Sequence, residues 1–277
     1  MPVAAATHAV VEALRADAAK VLSDGRAKCV IGYQARGEYR SPVFVRDAAQ
    51  AAALVWDEKC VQNLAAYLRK PDVRVMAPVA IVAPPPVMRS LVLLAAESQV
   101  TDAQVVVLGV AEGVYHGVLN LAGAAALLKE KYADLAPKPE LLKEIERLAA
   151  MTPEARAAFW AGQFARCTRC YACRAACPAC YCSRCIVEKN VPQWISTAAL
   201  SHGNYAWNII RAFHLAGRCT QCGACEAACP QGIPLMLLNA MLAGEVADEF
   251  GTKAGYDIEG KPFIGSWDKD DDQDFIR

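Results

Sequence analysis

Histidine is scarce. Four residues scattered along a chain of 277 leave no basis for a histidine-built metal site. Net charge is absent as well. Lys+Arg and Asp+Glu stand at 29 each, so no global field points toward nucleic acid or an anionic membrane. No apolar run reaches the about 20 residues that a membrane helix needs. The nearest, 73–96, is interrupted by Pro78, Pro84, Pro85, Pro86 and Arg89, and no direct membrane insertion is expected. A G-x-x-x-x-G-K phosphate loop, a G-x-G-x-x-G turn and a Ser/His/Asp arrangement are all missing, which removes the common nucleotide-binding and hydrolytic chemistries. His116, His202 and His214 read as structural or exposed. Residues 1–10 lack the basic start and apolar run of a secretory signal. Cysteine is almost absent outside one region: only Cys29 and Cys60 lie beyond 167–229. Clustered thiols without an export signal favour metal over disulfide, and the expected compartment is the cytoplasm of an anaerobe or facultative anaerobe.

Within that region eleven of the 13 cysteines are concentrated. Cys167, Cys170, Cys173 and Cys177, followed by Pro178, recur in pattern as Cys219, Cys222, Cys225 and Cys229, followed by Pro230. Each run reads C-x2-C-x2-C-x3-C-P, the bacterial signature for two [4Fe–4S] clusters. Three closely spaced cysteines fit three corners of one cube, while the fourth faces away and ligates the cube of the other run. Cluster I is therefore assigned Cys167, Cys170, Cys173 and Cys229. Cluster II is assigned Cys219, Cys222, Cys225 and Cys177. Structural zinc would use two C-x2-C pairs per ion. It leaves the third x2 step and both Cys-Pro endings without a reason.

Cys180, Cys182 and Cys185 follow directly on the first run. Three thiols in so short a stretch suit a third metal centre, with Cys60 as the preferred fourth ligand because it stands at the expected start of a helix, where thiolates are favoured. A third [4Fe–4S] cluster, zinc, and plain thiols or a redox pair are the open readings of this triplet. Arg166, Arg169, Arg174, Arg184 and Arg218 flank the motifs. Positive charge there raises cluster potentials unless carboxylates such as Glu226 neutralise it.

The rest of the chain is 55% hydrophobic overall, enough for a large core. A helix is expected over 9–22, a strand over 29–33, a helix over 48–68, a β-rich stretch over 73–82, a helix over 86–98 and an apolar strand over 104–110. That order argues for an α/β layer with a partly parallel sheet. Pro137 and Pro139 mark a linker, followed by helices over 140–150 and 153–164. Further helices are expected over 194–216 and 233–242. The expected domains are an α/β domain over 1–138 and an α+β, largely helical dicluster ferredoxin-like domain over 139–245 with a helical insertion at about 186–216. A tail follows over 246–277, acidic from Asp268 onward.

Beyond the motifs, the chain resembles the β-subunit family of coenzyme F420-reducing hydrogenases and formate dehydrogenases. The resemblance rests on 60–65, on 80–100 with Glu97-Ser98-Gln99, on 105–113 and on 167–185. It implies an α/β flavin-binding region joined to a dicluster ferredoxin module. Two departures stand out. Family members carry Lys-Gly-Cys-Asp after the strand ending near Val82, where this chain has Ala83-Pro84-Pro85-Pro86. They also carry a cysteine shortly after the Gly-Val that matches Gly109-Val110, where Ala111 and Glu112 follow here. The departures imply a scaffold that docks the ferredoxin module, with bound FAD or FMN as the alternative. The expectation is a non-catalytic electron-transfer subunit whose partners are formate dehydrogenase, hydrogenase or heterodisulfide-reductase-like subunits. A flavin-containing oxidoreductase β-subunit coupling hydride to one-electron transfer is the second reading.

Overall fold

The computed structural model describes residues 3–260, except 134 and 136. The acidic tail read at 268–277 lies outside the described residues. Helix α1 (Val3–Ser23) leads into strands β1 (Cys29–Arg36) and β2 (Tyr39–Val45). Two 3-10 helices, Ala48–Ala53 and Leu64–Arg69, precede α2 (Pro71–Arg74), β3 (Val79–Ala83), α3 (Pro85–Ala96), β4 (Val105–Ala111), β5 (Val114–Leu119) and α4 (Leu121–Lys131). The remaining helices are α5 (Pro139–Ala149), α6 (Pro153–Ala165), α7 (Ala172–Ala176), α8 (Ser201–Phe213), α9 (Ala224–Ala227) and α10 (Leu235–Phe250).

One five-stranded sheet runs β2-β1-β3-β4-β5. The inner pairs β1–β3 and β3–β4 are parallel, and the edge strands β2 and β5 pair antiparallel to their neighbours. The expected α/β layer with a partly parallel sheet is therefore present. Its centre is β3, whose five residues are all buried, as a strand covered on both faces must be apolar throughout. Helix α1 packs Val10, Leu14, Ala18 and Val21 into the same core, a spacing that places them on one helical face. Gly109 in β4 stands at a bulge, where a Cβ would come within 3.1 Å of His116 and Leu119. Its glycine is thus accounted for by close packing.

Several sequence expectations are corrected. The helix expected over 48–68 is broken into two 3-10 turns. Asp47 and Asn63 cap them, and Val55 between them bridges back to Tyr33 of β1. Alanine-rich composition favoured a helix, but the sheet claimed the intervening backbone. Cys60 accordingly lies in a turn ahead of the second 3-10 helix and not at a helix start. The β-rich stretch at 73–82 divides into the end of α2 and strand β3. The helix expected over 194–216 is confined to α8; ahead of it the Ser196 carbonyl is taken by the Arg169 side chain. The expected tail start at 246 falls inside α10, which runs on to Phe250. Strands β2 and β5 and helix α4 escaped the sequence reading. No helix among the described residues is long and apolar enough to cross a membrane.

After α10 the chain returns to the α/β layer. Arg89 of α3 donates to the Ala254 carbonyl at 2.9 Å and stacks on Tyr256, whose hydroxyl donates to the Tyr132 carbonyl. The cysteine region meets α3 as well: Ser90 and Thr220 hydroxyls lie 3.0 Å apart, and Arg218 donates to the Glu97 carboxylate at 2.8 Å.

Candidate metal centre

The two cysteine runs share their backbone. Two residues after the first cysteine, Arg169 and Gln221 take φ values of 57° and 55°. Two residues further on, Tyr171 and Gly223 take 59° and 72°. Left-handed conformations cost a non-glycine residue about 1–2 kcal/mol each, so their recurrence at matched places marks a constraint imposed by the site. The constraint is visible: the backbone N–H of Arg169 donates to the Cys167 sulfur, and that of Gln221 to the Cys219 sulfur, both at 3.4 Å. Each run then enters a single helical turn, α7 or α9, that carries its third cysteine.

The structure draws together cysteines from both runs. One cavity is lined by Cys219, Cys222 and Cys225 of the second run and by Cys177, the last cysteine of the first. Cys229, the last of the second run, packs with Cys167 and Cys173 on a core of Leu148, Trp160, Phe164, Ile233 and Leu235 that also holds Cys225 of the second run. Cys170 stands exposed. The first set is walled by α5, α6 and α10. The second is closed by α3 through Ser90 and Leu93, and by Thr220 and Asn239, whose amide donates to the Cys225 sulfur at 3.6 Å.

The donor chemistry fits a thiolate-bound cluster. Burial pushes the thiols of Cys173, Cys219 and Cys225 up, Cys225 to about 12, so without a metal they stay protonated in an apolar setting. A metal replaces those protons as the counter-charge. Buried guanidinium Nε atoms of Arg69, Arg169 and Arg211 lack any partner. Cations with open donors beside these sulfurs suit an anionic cluster.

Of the arginines read from sequence, two are neutralised. Arg174 pairs with Glu188, and Arg218 with Glu97. Glu226 binds no arginine; its carboxylate accepts from the Met236 N–H at the start of α10. Arg169 spends two donors on the Ser196 and Gly203 carbonyls. Arg69 and Arg211 were missed. Arg69 donates to the Cys177 carbonyl at 3.2 Å, and Arg211 to that of Cys173 at 3.1 Å. A signal for Arg211 was present in the sequence: Asn204, Asn208 and Arg211 recur at helical spacing on the buried face of α8.

The triplet is not a closed set. Cys180 turns toward Cys177, whose sulfur it hydrogen-bonds, and packs with Cys177 and Cys219 around Leu215. That bond, working against burial, holds the Cys177 thiol below its ordinary value. Cys182 is exposed and Cys185 half-buried. Cys60 is buried, with its sulfur 3.7 Å from the Asp57 carboxylate, and burial pushes it up to about 12. Among the described residues no hydrogen bond joins it to the triplet.

Residues 166–234 match the family model of the 4Fe–4S dicluster domain. Over 105 residues the chain is also 33% identical to the F420-dependent formate dehydrogenase subunit beta of Methanocaldococcus jannaschii, covering 38% of this chain and 27% of that relative. The resemblance to the β-subunit family is thereby borne out, although the chain spans only about a quarter of the length of the curated relative it matches. The dicluster domain begins one residue before Cys167 and reaches Pro234, so it contains both runs, the triplet and α8.

Proposed function

We propose that the chain is an iron–sulfur electron-transfer subunit of a redox complex, passing single electrons through two [4Fe–4S] clusters held by crossed ligation. Cys167, Cys170, Cys173 and Cys229 hold cluster I; Cys219, Cys222, Cys225 and Cys177 hold cluster II. The observation that carries the reading is the cavity lined by three thiols of one run and the last thiol of the other. When bound, the clusters supply reversible one-electron chemistry at iron.

The protein's own residues do the remainder. Backbone amides of Arg169 and Gln221 donate to ligand sulfurs, which favours the more negative, reduced form. Trp160 and Phe164 exclude water from the first set, and Leu93 and Leu215 from the second. The α/β layer of 1–138 serves as the scaffold that closes the second set and docks the module of 139–245 onto its complex. The similarity to a formate dehydrogenase subunit makes a formate dehydrogenase assembly the first partner to test, with hydrogenase and heterodisulfide-reductase-like subunits next.

The test is anaerobic purification of the full chain with iron, flavin and reduced-state EPR measurements. About eight irons per chain and two interacting cubane signals are expected. About twelve irons that drop by a third in Cys182→Ala would add a third centre at Cys180, Cys182 and Cys185. Stoichiometric FAD or FMN would establish the flavin-containing reading instead. Zinc without a cubane signal would sink the proposal.

A further inference from the structure

Arg211 occupies a place that no other cation among the described residues shares. It sits in the last turn of α8, is 5% exposed, and donates through one Nη to the Cys173 carbonyl at 3.1 Å. Its Nε is buried without a partner. Among the described residues no carboxylate pairs with it, in contrast to Arg174 with Glu188 and Arg218 with Glu97. The carbonyl it binds belongs to Cys173 of the first set, and Cys173 packs on the same apolar core as Cys225 of the second, so the guanidinium stands where the two sets meet.

A buried guanidinium without an anion is too costly to keep. The anion must therefore come from what the thiols hold. Two clusters of thiolate-bound iron are each net negative and gain one further negative charge on reduction. A fixed cation between them favours the reduced state of each and reduces the repulsion of one reduced cluster by the other.

We propose that Arg211 is the shared counter-charge of the two clusters, setting both reduction potentials at once. The inference rests on the two-cluster reading above. The Arg169 guanidinium is spent on the Ser196 and Gly203 carbonyls, and that of Arg69 on the Cys177 carbonyl at the second set, so neither bridges the two sets.

The test is an EPR-monitored redox titration of the anaerobically purified full chain carrying Arg211→Met, with Arg211→Lys as the charge-retaining control. With iron content equal to the parent, both midpoint potentials are expected to fall in the methionine variant and to stay near the parent in the lysine variant. Unmoved potentials, or a fall confined to one cluster, would overturn the proposal. If the methionine variant loses its iron, the lysine variant decides. Iron retained at parent-like potentials supports the counter-charge, whereas iron lost there too makes the guanidinium a structural brace and overturns it. A parent chain without two cubane signals defeats the two-cluster reading itself; a parent with both signals whose potentials ignore Arg211→Met defeats this inference alone.

Discussion

The run at 167–178 and the run at 219–230 have the same spacing, the same left-handed turns and the same N–H to sulfur bond, yet they end in different surroundings. The first leaves Cys170 exposed and rests on helices of its own module, α5, α6 and α10. The second is roofed by α3 of the sheet layer, through Ser90, Leu93 and the Glu97 pair with Arg218. Ligand spacing fixes what can be bound, and packing fixes how dry the bound group is. Because solvent exposure is one of the levers on cluster potential, two copies of one motif in unequal surroundings would give any clusters they hold unequal potentials.

The strongest way to break that comparison is to remove one ligand from each side. Cys222→Ala takes a thiol from the enclosed set, and about half of the iron should be lost, with one EPR signal remaining. Cys170→Ala acts on the exposed corner and should remove the other signal by the same amount. If either variant abolishes both signals, the two sites are not separable.

Next are the walls. Phe164 is fully buried and stacks on Trp160, so Phe164→Ala should cost about 3–5 kcal/mol and lower the denaturant midpoint while the second cluster's signal survives. Glu97→Gln does the converse on the other side. It strands the Arg218 charge beneath α3 and should cost about 3 kcal/mol, with line-shape change confined to the second cluster. Because Cys225 shares the Phe164 core, Phe164→Ala should also touch the second signal, though less than the first; equal disturbance of both signals by Glu97→Gln would contradict the roof that α3 makes over the second set.

The smallest effect concerns the turns. Gly223 has open space where a Cβ would stand, so Gly223→Val adds backbone strain alone, about 1–2 kcal/mol by thermal unfolding. Tyr171 already bears that strain at the matched position, and its ring meets Trp207 at 4.9 Å. Tyr171→Gly should therefore change stability by less than about 1 kcal/mol, relief of strain offsetting the lost ring contact. A large loss would mean that the aromatic contact, not the turn, holds the first run.

Much of this was legible in the chain. Helices α5 and α6 stand where Pro139 and Pro153 opened them, since proline at the first helical position surrenders no hydrogen bond. Strand β4 was readable from an unbroken apolar run. The edge strands were not: β2 carries Ser41 and Pro42, and β5 carries His116 and Gly117, so neither shows a clean apolar pattern. Cys60 misled because its value as a ligand hung on a helix that the bridge between Val55 and Tyr33 prevented.

What the sequence determined by itself is the ligand geometry. The spacing of C-x2-C-x2-C-x3-C is short enough that covalent chain length and a few dihedrals dictate which sulfurs converge, and both runs obey it. The same motif placed Cys177 with the second run; only the tertiary structure decided that α3 closes that cavity and that, among the described residues, Arg211 lies buried against the Cys173 carbonyl with no carboxylate partner. Those outcomes depend on contacts between residues far apart in the chain, whose positions are set by packing and desolvation and not by local spacing.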